Sequence, residues 1–145
     1  AFPFYNSQNS QVYSLVHCTS NREGFKLYKK SAWKVFGDQS STKKTHGEDG
    51  QFVLNLDPNV GSVVTTSTDE SCFTVHDITK YLQKSFSGRK GVHIEEMWAL
   101  LDEHPIFPSS YRNQIKQELV EMYGATKEQV VDPFTGKKET VISFR

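Results

Sequence analysis

The chain has 145 residues, and its 17 Lys and Arg balance its 17 Asp and Glu. A net charge of zero excludes nucleic-acid binding through the overall field, so any such partner has to be held by local basic patches. No apolar run reaches about 18 residues, no secretory leader is recognised, and Cys18 and Cys72 are too far apart to indicate a disulfide framework, so we expect a cytoplasmic protein.

The first half of the chain, residues 1–74, is predicted to be a small α/β portion. Residues 11–18 indicate a buried strand with apolar Val12, Leu15 and Val16. A helix is predicted over 23–36. Its core-facing residues are expected to be Phe25, Tyr28, Ala32 and Val35.

The other side of this helix carries the four lysines Lys26, Lys29, Lys30 and Lys34. Such a stripe is most often a solvated face, and binding of phosphate groups is the alternative.

Residues 38–50 are almost all polar or glycine and predict a flexible loop, while 51–56 and 61–68 indicate two strands that pair.

The second half, residues 75–145, alternates short helical and β-favouring patterns separated by glycine and proline. Ser109 and Ser110 are expected to cap the third helix, which buries Ile115, Leu119 and Met122. The predicted elements are a helix over 77–86, a strand over 92–94, helices over 95–104 and 111–123, and strands over 129–134 and 140–144 that flank a turn at 135–138.

This order predicts an α+β fold in which a strand–helix–hairpin portion packs on a C-terminal winged helix-turn-helix. The expected core residues are Tyr13, Leu15, Phe25, Trp33, Phe52, Leu54, Ile78, Leu82, Trp98, Leu101, Ile115, Leu119, Ile142 and Phe144. A helix-turn-helix usually places its second helix in a DNA groove. We therefore expect the helix over 111–123 and the hairpin tip to bind DNA.

The candidate DNA-binding residues are the polar side chains of that helix and the basic side chains of two turns. Amide and basic groups can hydrogen-bond base edges or phosphates, although a solvated surface without a partner explains the same residues equally well. Lysines at a hairpin tip can also simply protect a strand edge from aggregation. The candidates are Arg89, Lys90, Arg112, Asn113, Gln114, Lys116, Gln117, Lys137 and Lys138.

Two other function classes stay open. The neutral charge favours a protein-interaction module that docks a partner or a further N-terminal domain. A metal-dependent enzyme is the weaker alternative, and it requires Cys18, Cys72 and His76 to converge, with His17 beside them. The sequence shows no glycine-rich nucleotide loop and no recognisable catalytic motif, so no cofactor, metal or enzymatic activity is predicted.

Residues 12–35, with a strand and a helix that contains Ala32-Trp33-Lys34, followed by the apolar pattern of Ile115, Leu119 and Gly124, resemble the C-terminal part of bacterial three-Cys-motif partner proteins. The resemblance implies a winged helix that follows a methyltransferase-like α/β domain. The chain lacks the glycine-rich loop of a methyl-donor site, so that activity is not carried over. The resemblance further implies that the chain is the C-terminal part of a larger protein or a free-standing relative.

Overall fold

A computed structural model describes residues 1–6, 10–42 and 72–145. These residues form an α+β fold with four helices and two small antiparallel sheets. The elements are β1 (Phe2–Tyr5), β2 (Gln11–Leu15), α1 (Arg22–Val35), α2 (Val75–Ser85), β3 (Val92–His93), α3 (Ile94–Glu103), α4 (Arg112–Glu121), β4 (Thr126–Val131) and β5 (Lys138–Ser143).

Each sheet is formed by strands from one half of the chain. β1 and β2 form an antiparallel pair, and β5 lies between β3 and β4 in the second sheet. β3 precedes α3 in the chain but pairs with β5, the last strand. This pairing brings the beginning and the end of the second half of the chain together.

Helix α1 begins where its sequence predicts it. The Asn21 side chain accepts hydrogen bonds from the backbone N–H groups of Glu23 and Gly24, which are two of the donors that a helix start leaves without partners. The helix ends at Val35, and Gly37 follows with a φ of 77°, a conformation that glycine adopts without strain.

One apolar cluster joins the two halves of the chain. Trp33 of α1 and Phe2 of β1 are fully buried in it together with residues of every helix that follows. The predicted core residues that the structure buries are Trp33, Ile78, Leu82, Trp98, Leu101, Ile115, Leu119, Ile142 and Phe144, and Phe25 is half-buried.

All elements predicted over residues 75–145 form, with bounds within three residues of those expected. The prediction that Met122 is buried is wrong, because α4 ends at Glu121 and the Met122 side chain is 61% exposed. The expected serine caps are also wrong. Tyr111 occupies the cap position of α4, and the Ser109 hydroxyl donates instead to the Asp102 carboxylate at 2.6 Å.

The N-terminal predictions need larger corrections. The strand over 11–18 ends at Leu15 and is exposed rather than buried, with Val12 61%, Tyr13 57% and Val16 66% exposed. It pairs with β1, a strand that is not among the predicted elements. A two-stranded sheet has little capacity to bury both faces, so apolar residues of β2 remain at the surface.

The face of α1 is rotated relative to the prediction. Val35, expected in the core, is 77% exposed, whereas Lys29 of the predicted lysine stripe is fully buried. The predicted strands over 51–56 and 61–68, with core residues Phe52 and Leu54, lie outside the described residues, as does the 43–50 part of the predicted loop.

The described start of that loop is tied to the segment before α2. Ser40 and Ser41 are buried, and Ser40 exchanges two hydrogen bonds with the Phe73 backbone, at 2.9 Å and 2.7 Å. Across the described ranges, no helix is both long and apolar enough to cross a membrane.

Candidate nucleic-acid interface

Helix α4 is held by its apolar face. Ile115 and Leu119, one helical turn apart, are fully buried, and the helix packs against α2. The Tyr111 hydroxyl at its start donates to Asp38 at 2.7 Å, a bond that lowers the pKa of the Asp38 carboxyl. Burial raises the pKa of Tyr111 itself. The orientation of α4 is therefore fixed at its start and along one side.

The opposite side of α4 presents the predicted contact residues to solvent. Asn113 and Lys116 make no hydrogen bond or ion pair with any described side chain, whereas Gln114 donates to Glu118 at 3.0 Å and Gln117 to Glu121 at 3.0 Å. The five candidates of this helix are Arg112, Asn113, Gln114 and Gln117, which are exposed, and Lys116, which is half-buried.

Arg112 is directed back toward the preceding helix. Its Nε donates to the Ser109 carbonyl at 3.2 Å, and its guanidinium lies over the Trp98 ring at 5.4 Å from the centroid. A guanidinium stacked on an indole keeps its outer N–H groups available while its position is restricted. The Arg112 side chain thus lies against Ser109 and Trp98.

Glu118 of α4 contacts helix α2. Its carboxylate accepts a hydrogen bond from the Thr79 hydroxyl of α2 at 2.8 Å and lies 3.4 Å from the His76 Nδ1. Its side chain is only 17% exposed. Its other carboxylate oxygen accepts from Gln114 of α4, so the Glu118 carboxylate is shared between α2 and α4 and both of its oxygens are hydrogen-bonded.

The turn between α3 and α4 is held by a buried ammonium group from α1. Lys29 Nζ lies 2.7–3.0 Å from the main-chain carbonyls of Leu101, Asp102, His104 and Phe107, and its three N–H groups donate to these four acceptors with one N–H shared between two of them. Burial lowers the pKa of Lys29 to about 8. The Trp33 Nε1 donates to a further carbonyl of this segment, that of Ile106, at 3.0 Å. Helix α1 thereby holds the segment 101–107 that precedes α4.

His104 supports the same turn from inside. Its Nδ1 accepts hydrogen bonds from the backbone N–H groups of Ile106 and Phe107 at 3.1 Å and 2.9 Å, and its ring stacks on Phe107 at 4.1 Å. Both bonds require an unprotonated Nδ1. Burial, and then the nearby Lys29 charge, lower the pKa of His104 to about 4.

We expect stability to fall as the pH decreases from about 6.5 to about 4, because over this range the unfolded chain binds a proton at His104 and the folded chain does not. The variant His104→Asn offers an oxygen acceptor to the same two N–H groups without titrating. Urea unfolding at a series of pH values should show a weaker pH dependence for His104→Asn in this window. Equal slopes for the two proteins would contradict the assigned role of His104.

The hairpin between β4 and β5 has a well-defined tip over residues 132–137. Asp132 accepts hydrogen bonds from the Phe134 N–H at 2.8 Å and the Thr135 hydroxyl, and the Gly136 N–H donates to the Asp132 carbonyl at 2.8 Å. These side-chain bonds, that of Thr135 first, hold the pKa of Asp132 below its usual value. The predicted turn over 135–138 is thus shifted, since Lys137 lies at the tip and Lys138 is the first residue of β5.

Two of the predicted DNA-binding residues lie apart from this tip. Arg89 and Lys90 precede Gly91, whose N–H donates to Ser143 at the far end of β5. The length of β5 separates that end from Lys138 by about 17 Å. Arg89 is also paired with Glu96 at 2.8 Å. The structure therefore does not bring Arg89 and Lys90 together with the lysines of the hairpin tip.

Sequence reasoning missed several residues of this region. The predicted strand over 129–134 includes Phe134, but the Phe134 side chain is 97% exposed at the tip, and Lys127 of β4 is also exposed. The Asp132-Pro133 pair is a turn signal that could have placed the tip correctly.

Within the described ranges, no three His, Cys, Asp or Glu side chains group in a way that could hold a metal ion, and Cys18 is exposed while Cys72 is buried.

Comparison with known proteins gives no match to a protein-family model, to a curated protein or to a solved structure. The resemblance to three-Cys-motif partner proteins therefore stays a prediction.

Proposed function

We propose that residues 75–145 form a winged helix that binds duplex DNA, with α4 in a groove and the β4–β5 hairpin as the wing. The element order α2–β3–α3–α4–β4–β5, with β5 between β3 and β4, carries this proposal. Such an order is typical of winged helices. In these domains the second helix of the helix-turn-helix enters the major groove. The proposed cellular location is the cytoplasm, and helix α1 serves as a support for the segment before α4.

The distribution of charge supports contacts with phosphates. Residues 112–138 contain five Lys or Arg and four Asp or Glu. Among those four carboxylates, Glu118 is bonded to Thr79 of α2 and Asp132 is bonded within the tip, while Glu121 and Glu128 are exposed. Lys116, Lys137 and Lys138 have no carboxylate within ion-pair distance in the described parts of the chain. The cations of this surface are thus more available to a ligand than its anions.

The test is a titration of a random-sequence duplex with the purified chain over a range of salt concentrations. We expect binding that weakens steeply with salt, because each cation that neutralises a phosphate releases a counterion. In the double variant Lys137→Ala/Lys138→Ala the slope of log K against log salt should decrease in magnitude by about two. The matched control is Lys80→Ala/Lys84→Ala, which removes two exposed lysines of α2.

The outcomes separate the parts of the proposal. Equal slopes for the wild type and Lys137→Ala/Lys138→Ala would remove the wing from the interface. An equal loss in the α2 control would mean that binding depends on general charge and not on this surface. Absence of binding at low salt would overturn DNA binding as the function.

Protein docking is the second candidate function, and the exposed apolar residues of β2 favour it. Val12, Tyr13 and Val16 are each more than half exposed, and β2 pairs with a single neighbour in the described sheet. An edge strand of this kind can accept a further strand. A second copy of the chain supplies such a strand, so the occupant proposed is a second β2. Sedimentation should then show a dimer that Val12→Lys dissociates.

A further inference from the structure

The tip of the β4–β5 hairpin exposes an aromatic ring. The Phe134 side chain is 97% exposed, more than any other large hydrophobic residue described. An exposed phenyl ring gives up the burial that normally makes phenylalanine stabilising. Local packing therefore does not account for a phenylalanine at this position.

The loop that carries Phe134 is held by its own hydrogen bonds. Asp132 accepts from the Phe134 N–H and from the Thr135 hydroxyl, and its backbone N–H donates to the Lys137 carbonyl at 2.9 Å. Gly136 takes a φ of 67°, which closes the loop, and Pro133 fixes a further backbone angle. The ring is thus presented by a preorganised loop.

The hairpin that carries the ring has two lysines, and the carboxylate of Asp132 beside Phe134 accepts hydrogen bonds within the loop. Lys137 and Lys138 follow within the same hairpin and are exposed, and neither makes an ion pair with a described carboxylate. A planar apolar ring beside two cations fits a ligand that combines a flat apolar surface with negative charge. A base step flanked by phosphates in duplex DNA has both.

We infer that Phe134 is an apolar wedge that enters between two bases of the duplex bound by α4, while Lys137 and Lys138 hold the flanking phosphates. This inference rests on the proposed DNA binding. Apolar side chains inserted in this way unstack the step and kink the duplex. Flexible TpA steps are unstacked more easily than A-tracts, so the wedge also selects the sequence.

The experiment uses a duplex of about two helical turns with 2-aminopurine in place of the adenine at a TpA step. This base becomes more fluorescent when it is unstacked. The wild type should bind and increase the fluorescence. The Phe134→Ala variant should bind about tenfold more weakly, with an unchanged salt slope and no fluorescence increase, since a stacking contact is lost and no phosphate contact is.

Two further variants complete the design. Phe134→Trp keeps a flat aromatic ring and should retain both the affinity and the fluorescence increase. Val130→Ala removes another partly exposed apolar side chain of the same hairpin, 45% exposed, and should change neither. Because Phe134 is exposed, thermal unfolding of Phe134→Ala should match that of the wild type.

The failures are distinguishable. If the wild type binds and Phe134→Ala binds equally well, the wedge is overturned while DNA binding stands. If Phe134→Ala weakens binding but the wild type never increases the fluorescence, the ring contacts the sugar-phosphate surface, and the wedge is again overturned. If the wild type does not bind the duplex at low salt, DNA binding fails and the wedge with it.

Discussion

Replacing Lys29 with Met is expected to lower the free energy of unfolding by about 3 kcal/mol, the range found when buried hydrogen-bonding partners of a charged group are removed. Methionine fills the same space but donates no hydrogen bond. The carbonyls of Leu101, Asp102, His104 and Phe107 then lose the ammonium group that binds them, at 2.7–3.0 Å. The measurement is urea unfolding followed by circular dichroism at neutral pH.

The neighbouring Lys30 is the matched control. It lies on the same helix and has the same helix propensity, but its side chain is exposed. The Lys30→Met variant should therefore change the free energy of unfolding by less than about 0.5 kcal/mol. Equal stability of the Lys29→Met variant and the wild type would show that the four carbonyls find other partners, and would remove Lys29 as the support of the turn.

The double variant Asn113→Asp/Lys116→Glu is expected to weaken duplex binding about 100-fold, because it replaces a base-edge donor and reverses a charge on the outer face of α4. Neither side chain has an intramolecular partner among the described residues, so the helix should remain folded. Fluorescence anisotropy with a labelled duplex at low salt measures the affinity, and circular dichroism checks the helix content.

A control with the same change of charge lies on α2. Lys84→Glu/Ser85→Asp also alters the net charge by three units at two exposed positions, outside the proposed interface. We expect it to weaken binding far less than the α4 variant does. Similar losses for the two variants would indicate that the overall charge decides binding, and would argue against α4 as the element that contacts DNA.

The helices and strands of residues 75–145 could be predicted because each has a local signal. Ile115 and Leu119 recur at helical spacing, and glycine or proline lies between the elements. Such signals depend only on neighbouring residues. They located α2, α3 and α4 to within three residues, although they placed the hairpin tip too late, because Phe134 is a β-favouring residue type in an irregular turn.

For α1 and β2, several predictions of which side chains are buried and which are exposed were wrong. Lysine is usually solvated, so a stripe of lysines gave no reason to single out Lys29, whose role depends on carbonyls more than 70 positions away in the chain. The apolar residues of β2 predicted burial, but whether a strand is covered depends on what packs over it. Neither property is encoded in the local pattern.

The sequence by itself determined the α+β composition, the elements of the second half and the polar character of the outer face of α4, since these follow from residue spacing and turn chemistry. Only the tertiary structure decided which charges are available. It turned Glu118 toward Thr79, buried Lys29, paired Arg89 with Glu96 and exposed Phe134. Glu118 and Lys29 are placed by contacts with residues 39 and 72 positions away in the chain. The Arg89–Glu96 pair and the exposure of Phe134 depend on the conformation of the turns that carry them, so hydrophobic spacing alone specifies none of the four.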